Sequence, residues 1–158
     1  MSLSVGDKIP NLNTKTFDQG PAPINTDEVF VDKTVVMFGV PGAFTPTCSL
    51  KHLPGFVDHL DALKAAGVDT VVCHSVNDPF VMNEWGKSAG VSGDILMLAD
   101  WDASLAKALG VDADMSGAGL GTRAKRYALI AKDKEITYLE VGELDVSGAE
   151  AILAALKA

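Results

Sequence analysis

Apolar residues fall along this chain in two rhythms. Residues 35–40, Val35-Val36-Met37-Phe38-Gly39-Val40, are continuously apolar and predict a strand buried on both faces. Residues 70–76 and 95–99 read the same way, the first rich in β-branched residues. Between the first two strands the rhythm changes. Leu50, Leu53, Phe56, Val57, Leu60 and Leu63 recur at spacings of three and four, a helical stripe over 49–66. Pro54 inside it predicts a kink, because proline removes a backbone donor, and Gly67 suits the end of the helix. Asn77-Asp78-Pro79 opens a helix over 80–88, and Gly110 ends a short one over 102–109. Residues 126–131 and 135–141 predict an antiparallel hairpin across the polar turn 132–134. Ser147 is placed to cap a final helix through 156. Residues 4–30 read as short strands and turns, and 112–122 as a loop. Strands alternating with helices, then a hairpin, predict an α/β sandwich with a mixed central sheet. No repeat or linker interrupts residues 1–158, so one domain is expected.

The 158 residues can enclose a sizeable core. The formal net charge of −8 argues against nucleic acid, which needs a basic surface, and against anionic membranes. The first residues lack a cationic stretch followed by an apolar run, and no apolar stretch nears a spanning length of about 20 residues. A cytoplasmic location is expected. Two cysteines do not make a disulfide scaffold in a chain of this length.

Chemistry concentrates in Pro41-Gly42-Ala43-Phe44-Thr45-Pro46-Thr47-Cys48-Ser49. It follows the first buried strand, so Cys48 falls where a helix begins. Unpaired N–H groups and the positive end of the helix dipole favour a thiolate there, and the thiolate is the nucleophile. Ionisation alone is a modest gain. An ordinary thiol of pKa near 8.5 is about 3% thiolate at pH 7, and nucleophilicity falls as pKa falls. A fast reaction must therefore also stabilise charge on the leaving atom. Arg126, permanently charged and rich in donors, is the main candidate for that role, with Arg123 its rival. Thr45 stands three residues before Cys48, with a hydroxyl that can donate and accept.

The residues 41–48 resemble the Pro-x-x-x-Thr-x-x-Cys signature of peroxiredoxins, in the form found in the atypical type II, peroxiredoxin-5-like branch. The similarity continues through Ser75-Val76-Asn77-Asp78-Pro79-Phe80-Val81-Met82 with Glu84-Trp85, and through 120–127 up to Tyr127. The resemblance implies a thioredoxin-like fold and no metal or other cofactor. It implies reduction of hydrogen peroxide and organic hydroperoxides by Cys48 through a sulfenic acid. Arg126 would be the active-site arginine, Thr45 would orient the peroxide, and Pro41, Gly42 and Phe44 would shape its pocket. Glutathione, glutaredoxin or thioredoxin would restore the thiol, and a homodimer is expected. Cys73 reads first as an inert or accessory buried thiol, which leaves resolution to an external one. Its alternative is a resolving cysteine, because some type II relatives carry a second cysteine at about this place.

Other features weigh less. His52, one turn after Cys48, reads as lining the pocket or an interface. Cys73 and His74 point to opposite faces of a strand and cannot readily share a metal. His74 stands where the resemblance leads us to expect an apolar residue, and the sequence offers no role for it. Gly117, Gly119 and Gly121 are not followed by a helix, so a phosphate loop is not expected. No Cys-x-x-Cys occurs, which argues against dithiol exchange. The competing functions are a redox sensor and a general thiol-disulfide oxidoreductase with weak peroxidase activity.

Overall fold

Seven strands form the central sheet of the computed structural model, which describes residues 3–91 and 93–157. Met1, Ser2 and Ala158, on which the reading of the chain ends partly rests, lie outside the described residues, as does Ser92. Strands β1 (Asn13–Phe17), β2 (Pro21–Asn25), β3 (Thr34–Val40), β4 (Thr70–Ser75) and β5 (Ile95–Ala99) join β8 (Tyr127–Lys132) and β9 (Glu135–Val141) in the order β2-β1-β5-β4-β3-β8-β9. The pairs β3–β4 and β4–β5 are parallel, and the other pairs in the sheet are antiparallel. The continuously apolar runs thus occupy the centre, where both faces are covered. Within residues 4–30, the β1–β2 hairpin extends the sheet edge through Lys15 and Ala99.

The alternation of side chains on β3 and β4 divides the core in two. Val36, Phe38, Val40 and Cys73 pack on one face with Leu53 and Phe56 of α2 (Leu53–Asp58), Leu63 of α3 (Leu60–Ala65), Met82 and Trp85 of α4 (Pro79–Ser88) and Ile152 of α7 (Ala149–Lys157). Val35, Met37 and Val72 pack on the other with Val29 and Phe30 of α1 (Thr26–Phe30) and Leu105, Ala106 and Leu109 of α5 (Ser104–Leu109). Burying such side chains is worth roughly 1.5–3 kcal/mol each.

Three local expectations change. The helix expected over 49–66 is divided. A π-helical turn covers Cys48–His52, Pro54 sits in the first turn of α2 where no donor is needed, and a non-helical His59 separates α2 from α3. Residues 112–122 are not simply a loop. Asp112–Asp114 (β6) and Thr122–Ala124 (β7) pair around a 3₁₀ turn. Ser147 does not cap the last helix. It ends α6 (Leu144–Ser147), and its hydroxyl donates to the Glu143 carbonyl.

Candidate active site

Strand β3 delivers the chain to the loop 41–45, and helical backbone starts at Pro46. Cys48 follows in the first turn and opens the π-helical segment, whose wider ring is closed by Leu53 N–H donating to the Cys48 carbonyl. The cysteine is wholly buried. Arg126, immediately before β8, donates from Nη2 to Cys48 Sγ at 3.0 Å. A guanidinium N–H only donates, so the sulfur is the acceptor in this contact. The expectation that Arg126 begins the strand is off by one residue, since β8 starts at Tyr127. The Arg126 carbonyl is fixed by the Gly142 N–H at 2.9 Å.

The second donor group of Arg126, Nη1, lies 2.8 Å from His52 Nδ1. The other ring nitrogen, Nε2, lies 2.8 Å from the Ser147 carbonyl. A carbonyl only accepts and a guanidinium only donates. The pattern therefore assigns the proton to Nε2 and leaves the Nδ1 lone pair for the arginine. The imidazole is buried against Phe38 and Phe56, with ring centroids 4.9 and 5.7 Å away. Burial lowers its pKa to about 4. The Ser147 carbonyl opposes that shift, and the Arg126 charge adds to it. His52 is thus a neutral acceptor that orients a cation. The sequence missed this role, although the one-turn spacing from Cys48 was visible. Ser147 was not visible as a partner, because it contributes through its backbone. Glu143 lies 3.6 Å from Arg126 Nε but is 80% exposed, so it adds little.

Thr45 directs both its hydroxyl, at 2.7 Å, and its N–H, at 3.4 Å, to the Gly42 carbonyl. With its proton committed there, the Thr45 oxygen presents lone pairs. Phe44, at φ 65°, occupies the left-handed position of this turn, which glycine favours. The residue is 55% exposed. Pro41 offers its carbonyl to Arg123 Nη1 at 3.3 Å, and Arg123 Nε donates to the Leu120 carbonyl at 2.9 Å. Arg126 rather than Arg123 is therefore the guanidinium at the sulfur.

Cys73 shares the core face of Cys48, with its backbone paired between Phe38 and Met97. Burial pushes its thiol well above the ordinary value, and the neighbouring Cys48 pushes it further. Both cysteines are free thiols. No group of three or more His, Cys, Asp or Glu among the described residues is placed to hold a metal ion.

The family model described as redoxin matches residues 4–153. Peroxiredoxin-2B of Arabidopsis thaliana is 42% identical, over 98% of each chain. The chain belongs to the peroxiredoxin family. Among solved structures, reduced Prx3 from Vibrio vulnificus in complex with hydrogen peroxide superposes with a TM-score of 0.92. It is 46% identical, with 98% of this chain and 99% of that one covered. Peroxiredoxin 5 from Alvinella pompejana superposes at 0.89 with 31% identity, covering 98% of each chain. These relatives agree with the type II, peroxiredoxin-5-like resemblance and with a thioredoxin-like fold. Peroxiredoxins are thiol peroxidases, and in this one Arg126 contacts the sulfur of the cysteine that ends the signature.

Proposed function

We propose that this peroxiredoxin reduces hydrogen peroxide and small organic hydroperoxides at Cys48, with Thr45 and Arg126 as its catalytic partners. The thiolate attacks the terminal oxygen of the peroxide. An S–O bond forms as the O–O bond breaks, sulfur is oxidised to the sulfenic acid, and the departing hydroxide or alkoxide takes a proton from solvent. Arg126 faces the reacting atoms with donors that strengthen as charge moves onto the leaving oxygen. Thr45 Oγ1, its own proton spent on Gly42, accepts from the peroxide O–H and aims it at the sulfur. The observation that carries the reading is the 3.0 Å contact between Arg126 and Cys48 Sγ, made by an arginine whose other arm is held by His52. The relative with hydrogen peroxide bound supports the choice of substrate. Stopped-flow mixing with hydrogen peroxide tests it. The wild-type protein should react far faster than free cysteine and Cys48→Ser not at all, whereas a free-cysteine rate contradicts the proposal.

The sulfenic acid then needs a second thiol, and the proposal assigns it to glutathione with glutaredoxin, or to thioredoxin. Cys73 is held mid-strand as a protonated thiol, the weaker nucleophilic form. Cys73→Ser should therefore keep at least partial turnover with glutathione and glutaredoxin. Mass spectrometry after one equivalent of peroxide should find a Cys48 sulfenic acid. A Cys48–Cys73 disulfide would instead make Cys73 the resolving residue. The proposal includes a homodimer, for which the exposed rings of Phe44 and Phe80 are candidate contacts, and a cytoplasmic setting, where thiol reductants are kept reduced.

A further inference from the structure

The loop that carries Thr45 is held in place by a residue with no part in the reaction above. Asn77 Oδ1 accepts the Ala43 N–H at 3.0 Å and also the hydroxyl of Ser75. Ser75 is the buried last residue of β4, so the asparagine is anchored to the sheet. The Ala43 N–H and the Gly42 carbonyl belong to one peptide unit. That unit is planar and trans, so its two polar groups point opposite ways and turn together. The Gly42 carbonyl is the acceptor of the Thr45 hydroxyl. Pinning the Ala43 N–H therefore fixes where Thr45 sends its proton and where its lone pairs face. On the other side of the loop, Arg123 holds the Pro41 carbonyl. It approaches so closely that a Cβ at Gly42 would lie 2.7 Å from its Nη1.

We infer that Asn77 is a positioning residue for the peroxide, acting through the Gly42–Ala43 peptide to hold Thr45 Oγ1 as an acceptor. The inference rests on the peroxidase reading of Cys48. In both bonds Asn77 uses only its oxygen. Aspartate can therefore replace it, and leucine, similar in shape and without an acceptor, cannot. Losing the bond frees the peptide to turn and takes the acceptor from Thr45, while the cysteine itself stays in place.

The test compares two reactions of Cys48 in the intact protein, oxidation by hydrogen peroxide and alkylation by iodoacetamide. Iodoacetamide needs the sulfur but no acceptor at Thr45. In Asn77→Leu the ratio of the peroxide rate constant to the alkylation rate constant should fall at least about tenfold, the scale expected when a reactant is misplaced by a fraction of an ångström to an ångström. In Asn77→Asp it should stay within about threefold of wild type. A charge near the sulfur slows both reactions, and the ratio removes that effect. Should Asn77→Leu not fold, Asn77→Ser, too short to reach Ala43, carries the same expectation. An unchanged ratio in the leucine or serine variant overturns the inference, as does an equal fall in both reactions. A wild-type protein that prefers iodoacetamide to peroxide overturns it together with the reading beneath it.

Discussion

Two histidines lie buried on opposite faces of one sheet and serve different ends. His52 meets a cation, and its imidazole passes orientation from the Ser147 carbonyl to the arginine that contacts the Cys48 sulfur. His74, on β4, lies between the Tyr127 hydroxyl at 2.6 Å and Asp100 at 2.8 Å. Asp100 also accepts the N–H groups of Leu105 and Ala106 at the start of α5. Burial alone would raise the Asp100 pKa, but the pull of His74 and of those N–H groups outweighs it and holds the carboxyl below its ordinary value. The Tyr127 ring lies against Gly39, where any Cβ would overlap it. The second histidine therefore ties β4, β8 and α5 together, and the first holds the guanidinium that contacts Cys48. Burial makes a polar side chain costly on both faces, so its partners decide what it does.

The comparison breaks most visibly in acid. His52 has a folded pKa of about 4 against an ordinary 6.5. Above pH 6.5 the group is neutral whether the chain is folded or not, and its contribution to stability is fully present. Below pH 6.5 the unfolded chain takes up the proton first, so stability falls with pH until about pH 4. Urea midpoints should reveal a loss of about 2 kcal/mol between pH 7 and pH 5, and about 3 kcal/mol by pH 4. In His52→Leu that slope should vanish. Its persistence would place the titration elsewhere.

Smaller effects sharpen the contrast. His74→Val strands the buried Tyr127 hydroxyl and takes one donor from Asp100, which keeps the N–H groups of Leu105 and Ala106, and should cost about 1–3 kcal/mol of stability in urea. Its peroxide rate constant should stay within about threefold of wild type, and a much larger loss would join this network to the chemistry. His52→Leu should do the reverse at neutral pH, slowing peroxide reduction about tenfold as Arg126 Nη1 loses its acceptor. Glu143→Gln sits at the bottom of the scale. Its exposed ion pair with Arg126 is worth under about 1 kcal/mol, so both stability and rate should barely move.

The central strands and the thiol at the start of a helix were legible because each has a local signature, whereas Arg126 was singled out over Arg123 by the family resemblance. Continuous apolar runs mark β3, β4 and β5, and the residues 41–48 mark the loop. The π-helical turn was not legible, because one widened ring leaves the apolar spacing of 49–66 almost unchanged. The hold of His52 on Arg126, beyond its reading as lining the pocket or an interface, was not legible for a related reason. Its two partners, Arg126 and Ser147, lie 74 and 95 residues away, and one of them acts through its backbone. His74 gave no account of itself until Tyr127 and Asp100 were brought to the same end of the sheet. The pairing of β6 with β7 rests on three residues a side with little apolar pattern, so composition pointed to a loop.

The proposed role of Arg126 is to serve the reaction with peroxide beyond its contact with the sulfur. Stopped-flow oxidation by hydrogen peroxide and alkylation by iodoacetamide, compared in wild type and Arg126→Ala, test it most directly. The peroxide rate constant should fall on the order of 100- to 1,000-fold, as for the loss of one donor to a developing oxyanion, with alkylation falling far less. An equal fall in both reactions, or a peroxide rate near wild type, would contradict the account.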